Sequence, residues 1–333
     1  MYRKKNKMII SKTPFRLSLF GGGTDFPSYY LKNGGCVVGG TINKYCYVTA
    51  RYLPNVFNFK HRIVWSRNET VNNVNDIFHP TVRSVFKLMN IKKGLEIHYQ
   101  GDLQKNSGLG TSSSFCVGLF NAITNLEKKK ISSKELAKKA IFVEQKMLKE
   151  NCGSQDQIWA AYGGFNTIKF NKKGNFIIKK INLSSNKINH LDQNMFLVYT
   201  GINRFSDDIE KDKIKNLDKN LNHLDQIKKI TESFIKEIDA NLSIDLCASM
   251  LNEYWDVKKK LSKKVTNTYI NDLYKEGINN GAIGGKLIGS GGGGFILFCC
   301  KKKYHKKFIN GFKKIPIIKF SFTNNGSEII FKN

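Results

Sequence analysis

Acidic residues are scarce in this chain: 55 Lys and Arg stand against 26 Asp and Glu, a formal charge of +29 over 333 residues. Such an imbalance invites a polyanionic partner. No basic arm goes with it, however, because lysine runs along the whole length, with short clusters at Lys128–Lys130, Lys258–Lys260 and Lys301–Lys303. Lysine, asparagine and isoleucine are abundant together, as a compositional bias would produce. The expectation is a basic surface suited to anionic small molecules, with no nucleic acid as partner. A nucleic-acid binder is the competing class, to be recognised by steeply salt-dependent binding. Long apolar runs are also missing. No segment approaches the roughly 18 apolar residues of a membrane span, and the basic N-terminus is not followed by a signal-like apolar stretch. No membrane association is expected, and the location expected is cytoplasmic. The seven cysteines form no C-x-x-C pair, are odd in number and lie mostly among apolar residues, which indicates free thiols in a reducing compartment. The six histidines show no H-E-x-x-H spacing, so nothing supports a catalytic zinc. There is no G-x-S-x-G elbow to anchor a serine nucleophile.

What the chain does have is glycine in three dense pieces: Gly21–Asp25, Gly108–Ser114 and Gly289–Gly294. The middle one, Ser107–Phe115, reads SGLGTSSSF. Glycine allows sharp turns and close approach of backbone to a ligand. Successive backbone N–H groups make a concave anion site, and a helix starting there aims its positive end at the same anion. Val117, Leu119, Phe120, Ile123 and Leu126 can share most of one helical face just downstream. The loop lacks the lysine of a Walker A loop and does not fit G-x-G-x-x-G. A phosphate site and a plain helix-capping turn are both open at this point. Three independent tight turns are likewise an alternative to three turns folded around one phosphorylated ligand.

The order of elements reads as α+β without a βαβ repeat. Strands are expected over Met8–Phe20, with Pro14 as a break or edge, over Cys36–Ala50, Arg62–Trp65 and Glu96–Gln100, and in a hairpin across Phe165–Leu183 that turns at Lys173-Gly174. A short strand comes next at Met195–Tyr199, and one or two strands between Ile315 and Phe331. A helix is expected at Pro80–Met89. Another runs from Ser132-Ser133, where Glu135 completes a capping signal, to about Lys149. One or two more are expected in Ser206–Ile238, and one each at Leu242–Leu261 and Thr266–Asn279. Two domains are expected, meeting between residues 180 and 194 and divided as 1–187 and 188–333.

Glu144 and Asp156 lie twelve residues apart and cannot share a helical face unless the chain turns back, which Gly153 permits. Brought together, one carboxylate suits Mg²⁺ and the other a hydroxyl to be deprotonated. The alternative is a solvated Glu144 and an Asp156 that caps a helix. Asp25, held after three glycines, suits sugar hydroxyls, or it caps the next turn together with Thr24. Arg16 on its strand is placed to meet a phosphoryl group, although strand arginines also occur without that role.

Taken together, three stretches resemble the GHMP kinases, the superfamily of galactokinase, homoserine kinase, mevalonate kinase and phosphomevalonate kinase. TPFRLSLFGGGTD at Thr13–Asp25, NSGLGTSSSF at Asn106–Phe115 and GGKLIGSGGGG at Gly284–Gly294 occur in that family's order and span most of the chain. The resemblance implies a two-domain α+β fold: an N-terminal domain of mixed sheet and helices, a sandwich-like α/β C-terminal domain, and an active site in the cleft between them. It also implies ATP-dependent phosphoryl transfer to a small-molecule hydroxyl, with ATP and Mg²⁺ as cofactors and a monomer or homodimer as the working form. Carried over by position, Asp156 resembles the catalytic base and Arg16 the cation near the transfer point. Ser107, Gly108, Leu109, Gly110, Thr111, Ser112 and Ser113 resemble the ATP-phosphate loop, and Ser112 with Glu144 the Mg²⁺ site. Gly22, Gly23, Thr24, Asp25, Gly291 and Gly292 resemble the acceptor-binding positions. GGGTDFPSYY with HPTVR at His79–Arg83 and GSQDQ looks like the bacterial kinases of D-glycero-D-manno-heptose 7-phosphate, which phosphorylate C1. The L-fucose kinases are the neighbouring alternative, and a non-catalytic sugar-binding regulator a further one. The chain departs from the family at Thr111, usually Ser, at Ser290, usually Ala, and in Lys105-Asn106-Ser107, where a proline is common. GGGTDF stands where galactokinases have GEHTDY, against galactose. A substrate phosphate would need cations, for which Arg51, Arg83 and Arg204 are the candidates.

Overall fold

A computed structural model of the chain describes residues 7–203 and 206–333. In chain order its elements are β1 (Met8–Phe20), α1 (Pro27–Asn33), β2 (Gly35–Tyr52), β3 (His61–Val64), β4 (Asn68–Val71), α2 (Pro80–Leu88), β5 (Leu95–Gly101), α3 (Thr111–Leu126) and α4 (Ser133–Phe142). A π-helical turn, Val143–Met147, leads to α5 (Gln155–Tyr162), β6 (Phe165–Phe170), β7 (Phe176–Lys180), α6 (Ser185–Asn194), β8 (Met195–Tyr199), α7 (Ser206–Lys215), α8 (Leu217–Asn241) and α9 (Ile244–Lys258). The chain closes with α10 (Thr268–Asn279), β9 (Ala282–Leu287), β10 (Phe295–Cys300), α11 (His305–Gly311), β11 (Ile317–Ile318), β12 (Phe322–Thr323) and β13 (Glu328–Lys332).

β2 is the hub of the larger sheet. Its 18 residues are rich in β-branched and aromatic side chains, which suit a pleated surface. It pairs with β1 along almost its whole length, with β6 through Gly35–Gly40, with β12 at Thr41 and Ile42, and with β5 through Cys46–Tyr52. The sheet runs β13-β1-β2-β5-β3-β4, with the β6–β7 hairpin attached beside it. Pro14 does not break β1, and it lies past the β13 pairing, which ends at Lys12, so only its β2 side is paired. It sits where the register with β2 shifts, between Pro14 and Phe15, so an irregular pairing takes up the missing N–H. The smaller sheet, β11-β8-β10-β9, is wholly antiparallel.

α3 packs on β1 and β2 and carries most of that layer's core, from Phe115 and Cys116 to Leu126. α4 and α5 pack on each other, and α5 on α3. α8 and α9 bridge the two sheets, α8 against β2 and α9 against β9, β10 and β1. A second core cluster, with Phe196, Phe298, Phe308 and Phe312, fills the far side of the smaller sheet. The chain crosses from the larger to the smaller sheet around α6 and returns at β12 and β13. Among the described residues no helix is long and apolar enough to cross a membrane.

The segment 206–238 resolves as two helices, α7 and α8, parted at Asn216. The helix opened by Ser132 has the expected capping box with Glu135, but it does not run on as α-helix to Lys149. It widens into the π-turn, where Gln145 Nε2 donates to the Cys152 carbonyl (3.0 Å) and Ser154 Oγ (3.1 Å), pulling the helix end onto the loop before α5. The tail holds three short strands, and α6 and α11 are additions to the expected set.

Candidate active site

The three glycine pieces meet. A Cβ on Gly108 would come within 2.9 Å of the Ile288 carbonyl oxygen, and one on Gly289 within 2.6 Å of Gly108 Cα. Both glycines have positive φ, 78° and 74°, so close approach and backbone conformation both demand glycine there. The first piece is locked in through Gly153, where a Cβ would lie 1.8 Å from Asp25 Oδ2. Together they wall a cavity of about 160 Å³ between the two sheets.

At the N-terminus of α3, Gly110 takes the cap position in the left-handed region and no side chain caps the helix. The first-turn amides have no side-chain partner, unlike those of a plain capping turn. Gly108, Gly110, Thr111, Ser112 and Ser113 line the cavity. Ser107 and Leu109 lie behind that wall, buried, with Leu109 accepting from the Arg16 amide at 3.0 Å.

Arg16 and Asp156 face each other across the cavity floor. Arg16 Nε donates to Asp156 Oδ1 at 2.7 Å and Nη2 to Oδ2 at 2.5 Å, while Nη1 donates to the Gly108 carbonyl at 2.5 Å. This bidentate clamp fixes the carboxylate's plane and ties it to the glycine loop. Asp156 sits in the first turn of α5. Asp25 is fully buried. Its Oδ1 accepts from the Gly23 amide (2.9 Å) and its Oδ2 from the Gln155 amide (3.3 Å). Burial, and then the nearby Asp156 charge, push its carboxyl up to about 6. Gly22, Gly23, Asp25 and Gly291 line the cavity, whereas Thr24 and Gly292 do not. The Thr24 hydroxyl is engaged with the carbonyls of Gly21 (2.8 Å) and Cys36 (2.9 Å), and the Gly292 amide with Val265 (2.8 Å).

The chain does turn back at Gly153, so Glu144 reaches the same cavity as Asp156. Its Oε2 accepts from Ser113 Oγ (2.8 Å) and from Gln157 Nε2, and its Oε1 is buried without a partner. Burial, and then Glu150, raise its carboxyl to about 8. Ligand atoms of Glu144, Glu150 and Cys152 lie within 4.8 Å of one another. An orphaned buried carboxylate oxygen beside further oxygen donors fits a hard divalent cation. Ser112 is exposed on the cavity rim, one residue from the serine that bonds Glu144.

Several cavity residues escaped the sequence reading. Lys213, Lys258, Lys286, Glu210 and Tyr254 line it. Lys258 had a signal, standing seven residues after buried Leu251 on the apolar face of its helix. Lys286 interrupts the apolar pattern of its strand. Of the three arginines considered for a phosphate, Arg51 is held by Glu96 at 2.5 Å and Arg83 donates to the Ile77 carbonyl at 2.6 Å, both away from the cavity. Arg204 lies outside the described residues. A second cavity, of about 290 Å³, adjoins the first and shares Asn106, Thr111, Ser112, Glu150, Asn151 and Cys152 with it. Its wall is aromatic, from Trp65, Tyr99 and Phe115, with the His79 ring 4.7 Å from that of Trp65. Burial holds His79 down at about 4, hence neutral.

The family models described as GHMP kinases N terminal domain and GHMP kinases C terminal match residues 76–164 and 234–313. A Campylobacter jejuni protein named D-glycero-alpha-D-manno-heptose 7-phosphate kinase is 30% identical over 298 residues, covering 86% of this chain and 87% of that one. An Arabidopsis thaliana bifunctional fucokinase/GDP-fucose pyrophosphorylase is 26% identical over 206 residues, 60% of this chain but 19% of that protein. Among solved structures, a D-glycero-D-manno-heptose 1-phosphate kinase from Bacteroides thetaiotaomicron superposes with a TM-score of 0.80 at 22% identity, over 97% of this chain and 99% of the other. A putative sugar kinase from Campylobacter jejuni superposes with a TM-score of 0.75 at 25% identity, over 99% and 100%.

Proposed function

The chain belongs to the GHMP kinases, and from that premise we propose that it transfers the γ-phosphoryl group of ATP to the C1 hydroxyl of D-glycero-D-manno-heptose 7-phosphate. The product is the 1,7-bisphosphate, a precursor for GDP-heptose and surface glycans, made in the cytoplasm. The observation that carries this reading is the Arg16–Asp156 clamp on the cavity floor, between the uncapped α3 terminus and the Asp25 turn. The sugar follows the heptose-kinase relative, which is matched over most of its length.

In this mechanism the α3 amides and the Gly108–Ser113 turn hold the ATP phosphates. The adjoining aromatic cavity takes the base, stacked near Trp65 and His79. Asp156, fixed in orientation by Arg16, accepts the hydroxyl proton of the sugar as its oxygen attacks phosphorus. Arg16 then offsets the charge that grows on the transferring oxygens. Asp25 shapes the acceptor side, its carboxylate held rigid by two backbone amides. Glu144 and Ser112 are the residues that would hold Mg²⁺. When bound, the ion supplies positive charge to the phosphate oxygens. Most of the acceleration therefore comes from positioning and electrostatics.

ADP release from purified protein and MgATP, measured over heptose 7-phosphate, L-fucose, mannose and galactose, tests the proposal. Turnover on the heptose phosphate alone is expected. Turnover on fucose alone overturns the substrate, and no turnover on any sugar overturns the catalytic reading.

A further inference from the structure

Apart from Asp25, whose carboxylate is held by the Gly23 and Gln155 amides, the charges of the cavity fall into two groups. Glu144 and Glu150 gather with Cys152 beside Ser113, whereas Lys258 and Lys286 gather near Tyr254 and Gly289. Arg16 is already matched to Asp156, and Lys213 to Glu210. The two remaining lysines are 4% and 2% exposed. The Lys258 ammonium is anchored by the carbonyls of Leu287 (2.8 Å) and Gly289 (2.6 Å). Lys286 has no such anchor: among the described residues its Nζ makes no hydrogen bond and meets only the face of Tyr254, 4.2 Å from the ring centroid. The Tyr254 hydroxyl in turn donates to the Gly22 carbonyl at 3.2 Å, which sets Lys286 beside the turn that carries Asp25.

A largely buried lysine whose ammonium opens only onto the cavity and has no protein acceptor is held at a cost. Burial, then Lys258, then Arg16 all disfavour its charge. An anion seated there would stabilise the charged form against all three. Through Tyr254 the ammonium stands on the Gly22 side of the cavity, which favours an anion carried by the acceptor. We infer that Lys286, backed by Lys258, binds the phosphate that the acceptor sugar already carries, and so selects phosphorylated over unphosphorylated sugars. The inference rests on the kinase reading above and supplies its missing specificity residue.

The test is steady-state kinetics on the full chain with heptose 7-phosphate and with unphosphorylated heptose, comparing wild type with Lys286→Met and Lys286→Arg, with ATP affinity measured by calorimetry. Loss of a charge-assisted contact predicts a KM for the heptose phosphate raised roughly ten- to hundredfold in Lys286→Met. ATP affinity stays unchanged, the preference over unphosphorylated heptose disappears, and Lys286→Arg recovers part of it. Unchanged ATP affinity also shows that the variant is folded, and Lys286→Gln replaces Lys286→Met if the latter is insoluble. An unchanged KM, or a kcat lowered equally on both sugars, overturns the assignment and gives the lysine to the transferring phosphoryl group. A wild type that phosphorylates no heptose phosphate sinks the substrate reading and this inference together, whereas wild-type turnover with an unchanged KM in the variant sinks this inference alone.

Discussion

Asp156→Asn keeps the size of the side chain and removes its basicity. Turnover should fall by roughly 10²–10⁴-fold, the usual worth of a positioned acid or base, while calorimetric ATP affinity holds. Turnover near that of wild type would remove Asp156 from the chemistry. Asp25 predicts a pH effect on stability. Its carboxyl rises from 3.8 to about 6 on folding, so between those values the folded chain keeps a proton that the unfolded chain loses. The contribution of Asp25 is thus greatest near pH 4 and declines as pH rises to 6, by at most about 3 kcal/mol. Asp25→Asn should flatten that part of the profile, read as the difference in Tm between variant and wild type over pH 4–7. At this scale Asp25 and Asp156 follow glycine turns and Arg16 lies on a strand, and the local pattern left the role of each open until the three motifs together resembled the kinase family. Lys258 and Lys286 carried only weak local signals, on an apolar helix face and within an apolar strand, and burial is what singles them out among 55 Lys and Arg. The sequence sets Ser112 with Glu144 at a metal, whereas the direct hydrogen bond to Glu144 comes from Ser113, since which of three successive serines turns inward depends on helix phase.

Among elements, the junction of Gly108 with Gly289 is the most constrained. Gly108→Ala must place a side chain at a φ of 78° against backbone atoms of Ile288 and Gly289. We expect about 1–3 kcal/mol of lost stability, measured by urea unfolding, with weaker ATP binding besides. Ser132→Ala is the contrasting case. It removes the capping box of α4 on the exposed side, and should cost about 1 kcal/mol with kcat intact. A fall in kcat there would mean that α4 transmits strain to Glu144. Long strands and capped helices were legible because alternation and cap residues are local signals. The π-turn was not, because it is imposed by Gln145 reaching across to the Cys152–Ser154 loop. In the tail the sequence offers one or two strands where three form, because their pairing depends on partners far away in sequence, such as Ile9 for Lys332 and Ile42 for Phe322.

For the whole molecule, the charge of +29 surrounds a proposed reaction whose two substrates, ATP and a sugar phosphate, are both anions. Attraction over that range is screened within about 10 Å at 0.1 M salt. Raising ionic strength should therefore lower kcat/KM several-fold, and kcat far less. An equal fall in both would point to disruption of the site instead of reduced encounter. The sheet that bears Arg16 has a further property. β1 lies between β2 and β13, Ile9 opposite Lys332 and Lys12 opposite Glu328, and Ser327 at the mouth of β13 bonds Thr13 (2.8 Å) and the Asn121 side chain (3.0 Å). During synthesis, β13 leaves the ribosome after every other described element. The strand that positions Arg16 thus waits, one flank unpaired, until the smaller sheet and its helices have emerged. Nascent chains arrested before residue 327 should carry an exposed β-edge for chaperones to cover, and nucleotide-binding competence should appear late and abruptly in translation.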